Sequence, residues 1–180
     1  MPHHIYHTPA LVMTSIPSGE ADAVVELFTK DIGRISVHAR GIRKEVSRLR
    51  YVVQPMSWIL ANIVRGASGW RLTTAAPTTH NAIATEELQS LARVSQMVRR
   101  LLPHESTSPQ IFACLNTHHE LLHHNASRRR DWEALTLARM FHQLGYWGIE
   151  IPSYVDHEIS SAQKTMYINE INRILKTIHT

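Results

Sequence analysis

The sequence predicts an α+β chain of 180 residues: a five-stranded β-barrel over residues 1–80, then a helical bundle over residues 81–180. Three observations carry this reading. Apolar residues alternate with a period of two in the first part, they recur at helical spacing in the second, and turn-forming residues separate the early segments at short intervals.

"PALVMTSI" is apolar and β-prone, and Pro17-Ser18-Gly19 turns it into "ADAVVELFTK". A turn at Asp31-Ile32-Gly33 leads to "RISVHAR", where Ile35, Val37 and Ala39 share one face and Arg34, Ser36, His38 and Arg40 the other. After a basic connection through Gly41, "VQPMSWILANIVR" reads as a long fourth strand over residues 53–65, and Gly66-Ala67-Ser68-Gly69 turns it into "WRLTTA". Five antiparallel strands in this space suit a small closed or partly open barrel, the OB-fold being the commonest.

From residue 81 the spacing is helical. Thr85 is the expected N-cap of a first helix, with Glu86 and Glu87 in its first turn and Arg99 and Arg100 in its last. Leu88, Leu91, Ala92, Ser95, Val98 and Leu102 form its apolar face, and Pro103 ends it. A second helix starts at Ser108 with Pro109 in its first position, where a missing N–H costs nothing. A third runs from about Asp131 to Leu144 and stops at Gly145. The last carries Tyr167, Ile171, Ile174 and Ile178 on one face.

Composition narrows the function classes. A hydrophobic content of 43% with 19% charged residues describes an ordinary globular protein. Cys114 is the only cysteine, which excludes a disulfide framework or a Cys-based zinc finger within the chain. No apolar run is long enough for a membrane span, and the first residues lack a secretory pattern, so a cytoplasmic protein with no membrane partner is expected.

The net charge of +4 is unevenly placed: residues 1–80 hold nine Lys/Arg against five Asp/Glu, while residues 81–180 hold ten of each. Within residues 30–50, seven basic residues face only Asp31 and Glu45. Such a stretch points to a polyanion partner. The candidate DNA-binding residues are Arg34 and Arg40, projecting from one face of a strand, and Arg43, Lys44, Arg48 and Arg50 on the connection that leaves it. Guanidinium forks and a lysine point charge suit phosphate tracking without base reading. Trp58, Trp70 and Tyr51 are candidates for stacking on single-stranded bases, with core packing the expected role for Trp58. The run Arg128-Arg129-Arg130 is a second basic candidate, read as solvated surface.

One motif points elsewhere. His119-Glu120-Leu121-Leu122-His123 matches H-E-x-x-H, the helix signature of zinc peptidases. On a helical wheel, His118 falls inside the stripe of Ile111, Leu115 and Leu122, His119 at its margin and His123 further out, while Glu120 points nearly opposite. The extended motif fails at Ala126 and Arg129, and neither Glu133 nor Glu150 is singled out as a third ligand. The match is read as an accident of a histidine-rich helix, a surface cluster able to take metal adventitiously, with no catalytic residue and no metal site assigned.

The basic segment also resembles a known family. Gly19-Glu20, Leu27-Phe28-Thr29, Gly33-Arg34-Ile35-Ser36, Ala39-Arg40-Gly41, Ser47-Arg48-Leu49-Arg50 and Gln54-Pro55 are similar to the N-terminal OB domain of RecO, the bacterial recombination mediator and annealing protein. "RRLLPHESTSPQIF" and "LARMFHQLGYWGIE" resemble its helical half, so the likeness covers roughly residues 8–150. The chain departs in lacking the four-Cys zinc site of many members and their longer C-terminal region. The resemblance implies a non-catalytic protein that requires no cofactor. It would bind single- and double-stranded DNA and act in recombinational repair with RecR and single-strand-binding protein to help load RecA. The alternative is an interaction module whose helical half binds an acidic peptide tail in an apolar groove rimmed by Arg and Lys. A zinc peptidase is a distant third.

Overall fold

The structure, a computed structural model, describes residues 4–78, 84–124, 128–148, 151 and 159–178, with His124 and Ile178 described for their backbone alone. The chain divides into two compact units, one of Met1–Ala82 with Arg99–Phe112, the other of Ile83–Val98 with Ala113–Thr180.

The first unit is a closed barrel in the order β1-β2-β3-β5-β4, the OB-fold expected from the sequence. Its strands are β1 (Ile5–Ser18), β2 (Asp22–Thr29), β3 (Gly33–Ala39), β4 (Trp58–Gly66) and β5 (Gly69–Pro77). Neighbours pair antiparallel except β3 and β5, which run parallel with Val37 opposite Trp70 and His38 opposite Arg71. The period-2 pattern sorts side chains as it must: Val12, Val25, Leu27, Ile35, Val37, Ile59, Ile63 and Leu72 fill the interior. On β3, Ser36 and His38 between them stay exposed.

Residues 99–112 pack on this barrel. Phe112 sets its ring against Phe28 and Trp58, with centroids 5.8 and 5.4 Å apart. The Glu105 N–H donates to the Arg34 carbonyl at 2.8 Å. A Cβ added to Gly33, whose φ is +83°, would stand 2.1 Å from the Ser106 carbonyl oxygen, so only glycine permits this approach.

The fourth strand begins later than the sequence reading placed it. Pro55 has no N–H to donate to a ladder and Met56 takes a φ of +67°, so the chain turns here, closed by Ser57 N–H to the Gln54 carbonyl at 3.0 Å. Before it lies a one-turn helix, α1 (Leu49–Val52).

The second unit is helical. Helix α2 (Thr85–Leu101) takes the expected cap, Thr85, as its first residue, so Ala84 stands in the cap position, and the Glu87 carboxylate reaches back to the Ala84 N–H at 3.1 Å. Helix α3 (Pro109–His124) opens as expected, with Phe112 N–H donating to the Ser108 carbonyl. Helix α4 (Arg129–Gln143) ends before Gly145, whose φ is +78°. Helix α5 (Ser161–Ile178) buries Tyr167, Ile171 and Ile174; the Ile178 side chain lies outside the described residues. A reciprocal cap missed in the sequence holds its start, Gln163 N–H to Ser160 Oγ at 3.2 Å and Ser160 N–H to Gln163 Oε1 at 3.0 Å. Among the described residues, no helix is long and apolar enough to cross a membrane.

Candidate nucleic-acid interface

Residues 40–54 alternate anchors with charges. Ile42 and Val53 are buried in the barrel core, and Leu49 and Val52 pack against it. Arg40, Arg43, Lys44, Arg48 and Arg50 are all exposed. The backbone between is pinned by short-range bonds: Gly41 N–H to Asp22 Oδ1 at 2.7 Å, Arg43 N–H to the Ala21 carbonyl at 2.9 Å, Lys44 N–H to the Gly41 carbonyl at 3.1 Å and Ser47 N–H to the Lys44 carbonyl at 3.0 Å. The Arg43 guanidinium donates to the Gly19 carbonyl at 2.8 Å, which ties the segment to the β1–β2 turn. Apolar burial therefore fixes a strip of backbone whose polar side can only face water. The strip is a pre-formed cationic rim.

Five of the six sequence-expected cations thus come together on this strip. Arg34 does not join them. Its side chain is 12% exposed and pairs with Glu26 at 3.2 Å, while also donating to the Arg99 carbonyl at 2.9 Å. Glu26 in turn takes Arg99 at 2.9 Å. Arg34 and Arg99 close over one carboxylate and join strands to residues 99–112.

The three aromatic candidates separate as well. Trp58 is 3% exposed in the core, the role expected of it. Trp70 is 6% exposed, donates its Nε1–H to Glu105 at 2.9 Å, meets Tyr6 edge-on and is covered by the Arg65 guanidinium at 5.1 Å. Tyr51 stands 73% exposed beside Arg50, whose guanidinium lies 5.8 Å from the ring centre, and Val46 is 90% exposed on the same segment. Only Tyr51 offers an open aromatic face amid the cations.

The histidine helix is not the surface cluster the sequence suggested. His118 and His119 are both buried. His118 sits between Ser90 Oγ and Thr136 Oγ1, each 3.2 Å from a ring nitrogen, and Ser90 also donates to Glu133 at 3.0 Å. Burial pushes the pKa of His118 down to about 4, only partly opposed by Glu133, and burial beside His123 does the same to His119. Glu120 is exposed and accepts from the Asn116 amide at 2.7 Å, directed along the helix surface. Among the described residues no group of three His, Cys, Asp or Glu is placed to hold a metal ion; Ala126, Glu150 and the His124 side chain lie outside them. Two members of the basic run at the start of α4 are engaged too: Arg129 pairs with Glu86 at 2.6 Å, and Arg128 pairs with Asp131 at 3.7 Å and stacks on Trp132.

Comparison with known proteins follows the same line. The family model described as Recombination protein O N terminal matches residues 1–79. The DNA repair protein RecO of Heliobacterium modesticaldum is 33% identical over 121 residues, 66% of this chain and 44% of that protein. That of Myxococcus xanthus is 30% identical over 118 residues, 63% and 48% of the two chains. That of Alkalilimnicola ehrlichii is 31% identical over 141 residues, 77% and 54%, a match too long to stop at the barrel. The chain spans about half the length of the curated relatives it matches. A closed five-stranded barrel carries that N-terminal match and the relatives share one name, so the chain is similar to RecO proteins over its barrel and on into its helical half.

Proposed function

We propose that the chain binds DNA through the barrel and anneals strands in recombinational repair, as the family name of its relatives suggests. The observation that carries this is the rim of Arg40, Arg43, Lys44, Arg48 and Arg50, exposed together above buried Ile42 and Val53. Arg34 enters as the internal support of that wall through Glu26. Neutralising phosphates on two strands lowers their repulsion, which is sufficient physical reason for annealing without a nucleophile, metal or phosphate loop. Tyr51 supplies a stacking face, which favours single strands over duplex. On this reading residues 1–80 form the DNA-binding domain and residues 81–180 the partner-binding one, with single-strand-binding protein and RecR as partners in the cytoplasm.

Fluorescence anisotropy of a labelled single-stranded oligonucleotide across a salt series tests the site. Four to six phosphate contacts give a log–log slope of about −3 to −4, at roughly 0.7 per contact on single strands. Replacing Arg40, Arg43, Lys44 and Arg48 together by Glu should abolish binding while the circular dichroism and melting of the chain persist. Unchanged affinity in that folded variant would sink the assignment.

A groove in the helical unit supports a second reading, capture of an acidic peptide tail. Met97, Ala134, Leu137, Ile168, Ile171 and Leu175 line a cleft of about 520 Å³ whose rim carries Arg93, Arg130 and Lys164. Arg93 and Lys164 are held by Glu133 and Asp131, each at 2.7 Å, so Arg130 is the rim cation to test first. Loss of tail-peptide binding in Arg130→Glu, with DNA affinity intact, would establish the groove.

A further inference from the structure

Arg100 aside, the Lys and Arg of the barrel unit fall into two sets. Arg34 and Arg99 are paired with Glu26, and Arg65 with Glu105. Among the described residues Lys30, Arg40, Arg43, Lys44, Arg48, Arg50 and Arg71 have no carboxylate within ion-pair distance. Five of these belong to the rim. Arg71 comes from β5, and what brings it to them is the parallel pairing of β3 with β5, which sets it opposite His38.

Arg40, His38 and Arg71 are exposed side chains that line one cleft of about 500 Å³, closed at its far end by the Gly66–Gly69 turn with Ser68. Trp70 and Val64 form its apolar floor. Asp22 also lines it, but its Oδ1 accepts the Gly41 N–H at 2.7 Å, which directs that oxygen into the turn. Two guanidiniums and an imidazole around one carboxylate leave the cleft cationic. Arg40 belongs to both the cleft and the rim, so a polyanion leaving the rim meets the cleft next.

We propose that this cleft is a second phosphate-binding zone, in which Arg71 and His38, with Arg40 shared, hold the backbone of the same DNA strand that the rim engages. The proposal rests on the DNA-binding reading of the rim and extends it in one direction, across β3 to β5. The geometry favours a phosphodiester over a peptide carboxylate because the cations continue from the rim into the cleft, while Val64 and Trp70 beneath them are buried and leave little open apolar surface for peptide side chains.

The test uses the full chain with Arg71→Ala and Arg71→Lys, fluorescence anisotropy, and labelled oligothymidylates long enough to leave the rim or too short to do so. On the long probe Arg71→Ala should weaken binding several-fold and lower the salt slope by about 0.7, one phosphate contact. Arg71→Lys should retain the slope, and on the short probe neither variant should differ from the unaltered chain. Arg71 is exposed on an outer strand face, and a melting curve for each variant confirms its fold. If the fourfold rim variant loses binding while Arg71→Ala keeps the affinity and slope of the unaltered chain on the long probe, the cleft proposal falls and the rim reading stands. If the rim variant keeps binding and Arg71→Ala loses it, the rim reading falls and the cleft is the site. If Arg71→Ala weakens only an acidic peptide, the cleft takes a protein partner and the proposal is overturned.

Discussion

Residues 40–50 and helix α3 are both rich in basic side chains, and the fold treats them in opposite ways. In the barrel segment Ile42 turns inward, and Arg40, Arg43, Lys44, Arg48 and Arg50 stand in water. In α3 it is His118 and His119 that are buried, while Glu120 faces out. The difference lies in what each group can give up. A guanidinium cannot shed its proton, so it must be solvated, as Arg40 is, or matched by a carboxylate, as Arg34 is. An imidazole can leave its charge behind and enter a core as a neutral hydrogen-bonding group, which His118 does between Ser90 and Thr136. A run of basic letters is a binding surface only where its members cannot discharge.

The sharpest way to break this comparison is to put a fixed charge where the imidazole sits. His118→Arg should cost about 3–5 kcal/mol by burying a larger, permanently charged group where the nearest carboxylate, Glu133, is already paired with Arg93. It should abolish cooperative melting of the helical unit, whereas Arg40→His should leave the melting curve of the chain unchanged.

Acid offers the same test without mutation. With folded pKa values near 4 against 6.5 for an ordinary imidazole, the unfolded chain binds protons that folded His118 and His119 refuse. Stability should therefore fall as pH drops from about 6.5 to about 4, by up to ~1.4 kcal/mol per pH unit for each histidine, and level off below. In His118→Phe, which also gives up the bonds to Ser90 and Thr136 at about 1–3 kcal/mol, that slope should be shallower in a series of thermal melts. A slope unchanged by the substitution would assign the acid sensitivity to other groups.

On the barrel side, Tyr51→Ala should weaken single-strand binding by about 1–3 kcal/mol, roughly five- to 150-fold, and duplex binding much less. An equal loss on both would remove stacking from the account. The smallest effect belongs to Glu120→Gln: an exposed carboxylate bonded to Asn116 should alter stability by less than about 0.5 kcal/mol and leave DNA affinity, with or without chelator, where it was.

Much of this architecture was legible in the letters because its causes are local. The alternation of Ile35, Val37 and Ala39 fixed a strand and its inner face, and Ser108-Pro109 marked a helix start. The wheel already put His118 in an apolar stripe. It left His119 at the margin because a wheel shows one helix and not what packs beside it. The fourth strand was drawn too long because Val53 and Met56 are apolar, while Pro55 could not supply the ladder bond. Arg34 and Arg40 look alike in sequence, on the same face of one segment. They part because Arg99, 65 residues further on, offers its carbonyl to Arg34 and its charge to Glu26. Arg71 was passed over for the same reason, since its place beside His38 depends on a parallel pairing that no local period announces.

The seating of residues 99–112 on the barrel also bears on how the protein is made. Phe112 shields Phe28 and Trp58, and Ser106 leans on the bare Cα of Gly33, yet residues 83–98 in between belong to the other unit. A nascent chain that has emerged only through β5 can close its ladders but still shows two aromatic rings to water. During translation the barrel must wait for a later stretch of message before it is sealed, an interval in which a chaperone has something to hold.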